Sequence, residues 1–236
     1  MISLLLWLVV APRVPKIEVT EIDLQSGAIV KEGWRTPAPV GSLIKPFTAM
    51  AYAARHDYRY PQLECAPGTC WLPAGHGRVG IREAVAYSCN SYFLQLARGV
   101  GVDDLNAVLR RFSLPVMLET ADHGAFIGLG DDWRVKPQEL LRAYGEIASR
   151  AAEPGVAELL EGMALSAKAG TGKAAGRGGE SENSWLVKTG TAPCVHADHM
   201  PGDGYALGLY PASHPRRAIL VRAHGATGAE AAAFLH

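Results

Sequence analysis

Within "VGSLIKPFTAMAYAA", residues 40–54, the spacing of apolar residues changes from that of a strand to that of a helix. Leu43, Phe47, Met50 and Ala54 fall on one helical face, and Pro46 stands in the first turn, where its missing N–H costs little. Upstream, "KIEVTEIDL" (16–24) and "AIVKEGW" (28–34) are β-rich runs separated by "QSG", which predicts two neighbouring antiparallel strands.

Downstream the helical period persists. Leu105, Val108, Leu109 and Phe112 keep the i, i+3, i+4, i+7 spacing, and "KPQELLRAYGEIASR" (136–150) reads as a helix with Pro137 in its first turn. Strand patterns return only in "SWLVKTG" (184–190), "YALGLY" (205–210) and "RAILVRA" (217–223), followed by an Ala-rich helix from about Ala226. Strands at both ends of a helical middle predict an α+β fold. Its antiparallel sheet of about five strands is flanked by helices and carries an inserted, mainly helical lobe over roughly residues 46–160. Residues 16–236 then form one domain, with a cleft between lobes as the natural place for a site.

The 236 residues suffice for one large domain or two intimate lobes. Lys plus Arg and Asp plus Glu both number 23, so no charge excess offers nucleic acid or another polyanion a partner surface. The apolar run Leu4–Ala11 is far short of the ~20 residues of a membrane span. It reads either as the core of a secretory signal or as a first structural element packed on the domain. Of four cysteines, Cys65 and Cys70 bracket "APGT"; they are expected to close a small disulfide loop or to stand as a buried thiol pair.

Ser42 and Lys45 are three residues apart, so on a helix they face the same way, with Ser42 beside the free N–H groups of the first turn. A string of this kind occurs by chance in roughly every second chain of this length. Ser42 is therefore a helix cap or a nucleophile with Lys45 as base, and the second role needs Lys45 to lose its proton. Lys188-Thr189-Gly190, at the end of a predicted strand, is rarer, about one chain in twenty. Lys188 and Thr189 could bind an anionic group, Gly190 would let backbone approach a ligand, and the Thr191 N–H could donate to an oxyanion. Between them, "AYSCNSYF" places a hydroxyl, Ser88, and an amide, Asn90, between helical segments. A second Ser-x-Asn, Ser181 to Asn183, lies in the glycine-rich stretch 169–183, which reads as a flexible connection.

In this order, Ser42-x-x-Lys45, Ser88-x-Asn90 and Lys188-Thr189-Gly190 resemble the motifs of the penicillin-recognising serine enzymes, penicillin-binding proteins and serine β-lactamases. "GSLIKPFTA", "REAVAYSCNSYFLQLA", "FIGLGDDWRVKPQELLRAYGEIA" and "KTGTAP" extend the resemblance to the transpeptidase domain of penicillin-binding proteins, over most of residues 17–236. It implies Ser42 as acylated nucleophile, Lys45 as its base, Ser88 as proton relay and Asn90 as support for substrate and lysine. Lys188 and Thr189 would bind a carboxylate, and the N–H groups of Ser42 and Thr191 would form the oxyanion hole. The charge of Lys188 would help to keep Lys45 neutral.

The implied activity is D,D-transpeptidase or carboxypeptidase chemistry on the D-Ala-D-Ala stem peptides of peptidoglycan, with penicillin and other β-lactams as acylating ligands, outside the cytoplasm. No cofactor or metal is expected. A partner protein would stand in for the pedestal domain that such enzymes carry. A β-lactamase is the alternative enzyme, although no Glu-x-x-Leu-Asn string supplies a deacylating carboxylate, and a sensor or scaffold that binds without turnover is the non-enzymatic one.

Other motifs carry less. Cys194, His196 and His199 of "CVHADHM" are close enough in sequence to suggest a chelate that His76 could complete from elsewhere in the chain, against a surface-loop reading. "AGTGKAAG" fails as a phosphate loop, because Ala167 and Ala174 stand where Gly and Ser or Thr are required. His76 of "GHG" is expected to be structural.

Overall fold

The computed structural model describes residues 15–176, 185–194 and 201–236. The apolar run at 4–11, the Ser181 to Asn183 segment, His196 and His199 lie outside the described residues.

Strands β1 (Ile17–Asp23) and β2 (Ile29–Lys31) form the expected hairpin, closed where the Asp23 carboxylate accepts from the Gln25 and Ser26 N–H groups. Then follow β3 (Ala38–Pro39), a 3-10 turn (Gly41–Ile44), α1 (Lys45–Ala54), β4 (Leu63–Cys65), β5 (Gly77–Val79), α2 (Ile81–Ala86), α3 (Asn90–Ala97) and α4 (Val102–Arg111). The chain continues through β6 (Arg134–Val135), α5 (Pro137–Ser149), α6 (Ala157–Ala169), β7 (Leu186–Ala192), β8 (Asp203–Tyr210), β9 (Arg217–His224) and α7 (Gly228–Ala231).

The two ends share one five-stranded antiparallel sheet of order β2-β1-β9-β8-β7. β1 is zipped to β9 from Ile17 opposite Ala223 to Asp23 opposite Arg217, so the first strand closes on the last. Short pairs β3–β6 and β4–β5 lie outside this sheet.

Alternation along the strands sorts their side chains onto two faces. Leu186, Tyr205, Leu207, Leu209 and Leu220 join a core with Phe47, Leu105 and Tyr144 of the helices. Val187, Ala206, Ile219 and Val221 pack on the other face against Trp185, Ala231 and Leu235. Phe47 holds the main core together, with Phe112 and Tyr144 edge-on at 5.5 and 5.6 Å, a geometry worth about 0.5–1.5 kcal/mol per pair beyond burial.

Within the 46–160 stretch, α5 packs on β1 and β9. α6 bridges α2 and β7. The expected C-terminal helix is much shorter than the Ala-rich composition suggests. Thr227 and Glu230 form a capping box at its start, but after the 3-10 turn Ala232–Phe234 the backbone extends at Leu235, which is fully buried behind the sheet. Burial of that side chain overrides the helix preference of alanine.

Candidate active site

The Gly41–Ile44 turn is pressed against the outer edge of β7, and glycines make this possible. Gly41 has φ +57, and a Cβ there would lie 2.3 Å from the Thr191 carbonyl oxygen. A Cβ on Gly190 would lie 2.4 Å from the Val40 oxygen. Gly190 thus makes room for the turn that carries Ser42. From the other side the Tyr144 hydroxyl donates to the Leu43 carbonyl at 2.7 Å. Ser42 is half-buried, and its hydroxyl caps neither the 3-10 turn nor α1, which disposes of the helix-cap reading.

Lys45 is the first residue of α1 and is fully buried. Its Nζ donates to Asn90 Oδ1 at 2.6 Å, to the Ser88 carbonyl at 2.9 Å and to Ser88 Oγ at 3.4 Å. Burial lowers its pKa to about 7, against an opposing pull from the Cys89 and Cys70 thiols. Ser88 occupies the tight turn between α2 and α3 at φ +51, a conformation that disfavours residues other than glycine by about 1–2 kcal/mol. The strain turns both its carbonyl and its hydroxyl toward Lys45.

Lys188 follows the alternation of β7. Like Leu186 it faces the helical core, is fully buried, and donates from Nζ to Ser88 Oγ at 2.9 Å and to the Thr189 carbonyl at 2.7 Å. Burial, reinforced by the Lys45 charge, holds its pKa well below that of an ordinary lysine. Burial is the largest cause at both lysines, and a charge on either disfavours a charge on the other.

Ser42, Ser88, Asn90, Thr189, Gly190 and Thr191 line one open cavity of about 330 Å³. Lys45 and Lys188 stand behind its wall. The carboxylate-binding role expected for Lys188 therefore lacks an exposed ammonium, because the odd–even alternation of the strand sends that side chain inward and Thr189 toward the opening. Thr171, Thr227, Trp71 and Leu129 also line it, with Gly128, Gly228 and Ala229, and none was singled out from sequence. Thr171 Oγ1 and Thr189 Oγ1 are 2.6 Å apart. The signal that could have located Thr171 is weak, a lone hydroxyl in a glycine-rich stretch. Thr191 Oγ1 accepts from the Gly228 N–H at 3.0 Å, which ties the start of α7 to the rim.

Two groups of side chains have metal-ligand chemistry among the described residues. Cys65, Cys70, His76 and Cys89 converge directly beneath the Ser88 turn. Cys65 and Cys70 are not bonded to each other; the Cys70 sulfur lies 3.9 Å from that of Cys89, and all four cysteines are free thiols. Cys194, Asp203 and His224 form the second group, but Asp203 is already engaged by the buried Arg222, with Nε at 3.0 Å. His76 thus belongs with Cys65, Cys70 and Cys89, and not with Cys194.

The family model described as the penicillin binding protein transpeptidase domain matches residues 30–234. The chain belongs to the penicillin-binding protein transpeptidase family. Among curated relatives, the peptidoglycan D,D-transpeptidase MrdA of Acinetobacter baumannii is 30% identical over 129 residues, 47% of this chain and 18% of that protein. The chain therefore spans less than a fifth of that relative's length in the match.

Solved structures share the fold. The D,D-transpeptidase domain of an Eggerthella lenta peptidoglycan glycosyltransferase superposes with TM-score 0.73 at 17% identity, covering 93% of this chain and 76% of that one. PBPA of Mycobacterium tuberculosis gives 0.71 at 22% identity, covering 92% and 72%. The Helicobacter pylori PBP2 complexed with MreC gives 0.75 at 15%, covering 93% and 58%. The penicillin-binding protein transpeptidase fold thus accounts for the five-stranded sheet and its helices.

Proposed function

We propose that this chain is the catalytic domain of an acyl-serine D,D-transpeptidase that acts on peptidoglycan stem peptides ending in D-Ala-D-Ala and is acylated by β-lactams. The observation that carries the reading is the uncommitted Ser42 hydroxyl on a cavity shared with Ser88 and Asn90, with Lys45 buried behind it at a pKa of about 7.

Ser42 Oγ attacks the carbonyl of the penultimate D-Ala, and its proton passes to neutral Lys45. The N–H groups of Ser42 and Thr191 are the proposed donors to the oxyanion. Ser88 Oγ accepts from both lysines, which uses its two lone pairs and leaves its own proton free for the leaving group. The bond from carbonyl carbon to the terminal D-Ala nitrogen breaks as that nitrogen takes the Ser88 proton, and Lys45 resupplies Ser88. An amine then attacks the ester in transpeptidation, or water in carboxypeptidation, and Ser42 recovers its proton.

The paired hydroxyls of Thr171 and Thr189 are the proposed donors to the terminal carboxylate, with Lys188 contributing electrostatically from behind the strand. Peptidoglycan as substrate puts the domain outside the cytoplasm, and a protein partner belongs to the same reading, as with the Helicobacter pylori PBP2 and MreC complex.

Intact mass after incubation with a fluorescent penicillin tests the proposal. The wild type is expected to gain one adduct that Ser42→Ala does not. Equal labelling of the two proteins, or none of the wild type, overturns it. Loss of the adduct within seconds would assign hydrolysis of the β-lactam instead.

A further inference from the structure

Where β7 ends, β8 begins and β9 ends, a thiol, a carboxylate and an imidazole converge that the acyl-transfer chemistry does not use. We propose that Cys194, Asp203 and His224 bind a zinc ion, with water in the fourth position, and that the ion fastens the three strand ends next to the cavity rim.

Geometry is the first support. The ligand atoms of the three residues all lie within 4.8 Å of one another. Zinc bonds of about 2.0–2.2 Å to oxygen and 2.0–2.1 Å to nitrogen imply a tetrahedral edge of about 3.4 Å between the two atoms. Asp203 Oδ1 and His224 Nδ1 are 3.1 Å apart. Yet Asp203 Oδ1, on a fully buried side chain, accepts no hydrogen bond, so the imidazole beside it is not aligned as a donor. A buried carboxylate oxygen without a donor is costly, and a cation shared with the imidazole removes that cost.

The surroundings are the second support. Arg222 holds only the other oxygen of that carboxylate, Oδ2, through Nε and Nη2. Glu18 Oε2 is 2.9 Å from His224 Nε2. A carboxylate on one ring nitrogen orients an imidazole so that the other nitrogen faces a metal. The charges balance as well. A Cys194 thiolate, Glu18 and Asp203 stand against a divalent ion and Arg222, whose Nη1 is 3.6 Å from Glu18.

Placement is the third. Asp203 pairs across the sheet with Ala192 on one side and with His224 on the other, and Cys194 comes two residues after β7 ends. The ligands thus come from three successive strand ends. Beyond His224 the chain passes to Thr227 and Gly228, which line the cavity, and the Gly228 N–H donates to Thr191 Oγ1. Cys194 is half-buried, which gives an ion a way in from solvent. A thiolate, an imidazole and a carboxylate together suit zinc. This assignment keeps Cys194 from the chelate that the sequence suggested and adds partners from β8 and β9 that spacing does not reveal. It departs from the absence of a metal expected from the motifs.

The test is the zinc bound by the whole chain, purified in reductant without chelator after growth with zinc, and read as a difference between variants so that metal held elsewhere cancels. Cys194→Ser and His224→Asn should each carry one zinc per chain fewer than the wild type by elemental analysis. Glu18→Gln, which leaves the three ligands in place, should weaken zinc binding by about tenfold to a hundredfold. In the wild type, zinc should protect Cys194 from iodoacetamide, followed on its own peptide by mass spectrometry, and EDTA should remove the protection. Should the variants fail to fold, that protection decides. Folded variants that keep the wild-type zinc content, or a Cys194 that is alkylated equally fast with and without zinc, overturn the proposal and leave Glu18, Asp203, Arg222 and His224 as a network of ion pairs alone. None of these readouts depends on acylation of Ser42, so failure here leaves the transpeptidase reading to its own test.

Discussion

The two walls of the cleft each deliver a lysine to the Ser88 hydroxyl, and they do so by different means. On the helical wall, Lys45 is held by Asn90 and Ser88, groups 43 to 45 positions away in the chain and brought together by packing of α1 on α3. On the strand wall, Lys188 is held by its neighbour's carbonyl, and only the alternation of β7 aims it inward. Both side chains are fully buried, so water stabilises neither charge. Two ammoniums on one hydroxyl repel each other, and only one proton is comfortably held at a time. In the proposed mechanism the helical wall thus supplies a base that titrates near neutrality, and the strand wall a second nitrogen that supports the relay from behind.

That contrast breaks if the two lysines prove equivalent. The largest expected effect is on Lys45→Met, which removes the base: acylation by fluorescent penicillin should slow by about 10²–10⁴-fold while the circular dichroism stays native. Next is pH. Lys45 must be neutral to accept a proton, so the wild-type acylation rate should rise with pH to a midpoint near 7 and fall about tenfold per unit below it. The same proton acts on stability. The unfolded chain keeps it up to about 10.5 whereas the folded chain releases it near 7, so stability should rise between those values and the burial cost should be fully present below them. Thermal melts at pH 7 and 9 check the sign, and Lys45→Met should reduce the difference, leaving the part that Lys188 contributes in the same direction.

Lys188→Met comes third, expected to cost about tenfold to a hundredfold in acylation while the midpoint near pH 7 persists. A Lys188→Met protein that loses that midpoint would transfer the base to the strand wall. The smallest effect is expected for Thr189→Val, which removes one hydroxyl from the opening. Loss of about 1–1.5 kcal/mol should weaken capture of carboxylate-bearing substrates about tenfold at unchanged maximal rate. An equal loss with substrates lacking the carboxylate would break the assignment of Thr171 and Thr189 to that group.

Much of the fold was legible because its elements have strong local periods. The β1–β2 hairpin, α5 with Pro137 in its first turn and the three closing strands all follow from apolar spacing and turn residues. The C-terminal helix was overestimated because composition speaks to propensity, while Leu235 is fixed by what it buries. In the site, Ser42, Ser88, Asn90, Thr189, Gly190 and Thr191 were all marked by motif and do share a cavity. Thr171 and Trp71 were not, since a hydroxyl in a glycine-rich stretch and an aromatic between two cysteines look like any others. Of the two readings open for Cys65 and Cys70 the structure shows unbonded thiols, and packing brings Cys89 and His76 to them from further along the chain.

By itself the sequence determined which residue types were available and their local order: a serine one turn from a lysine, a strand ending in Lys188-Thr189-Gly190, strands at both ends of a helical middle. The tertiary structure decided which of those groups face solvent and which lose it. Burial depends on neighbours distant in the chain, and burial is what sets the charge of Lys45 and Lys188, leaves the Ser42 hydroxyl uncommitted at the cavity, and gathers three thiols and an imidazole beneath the Ser88 turn.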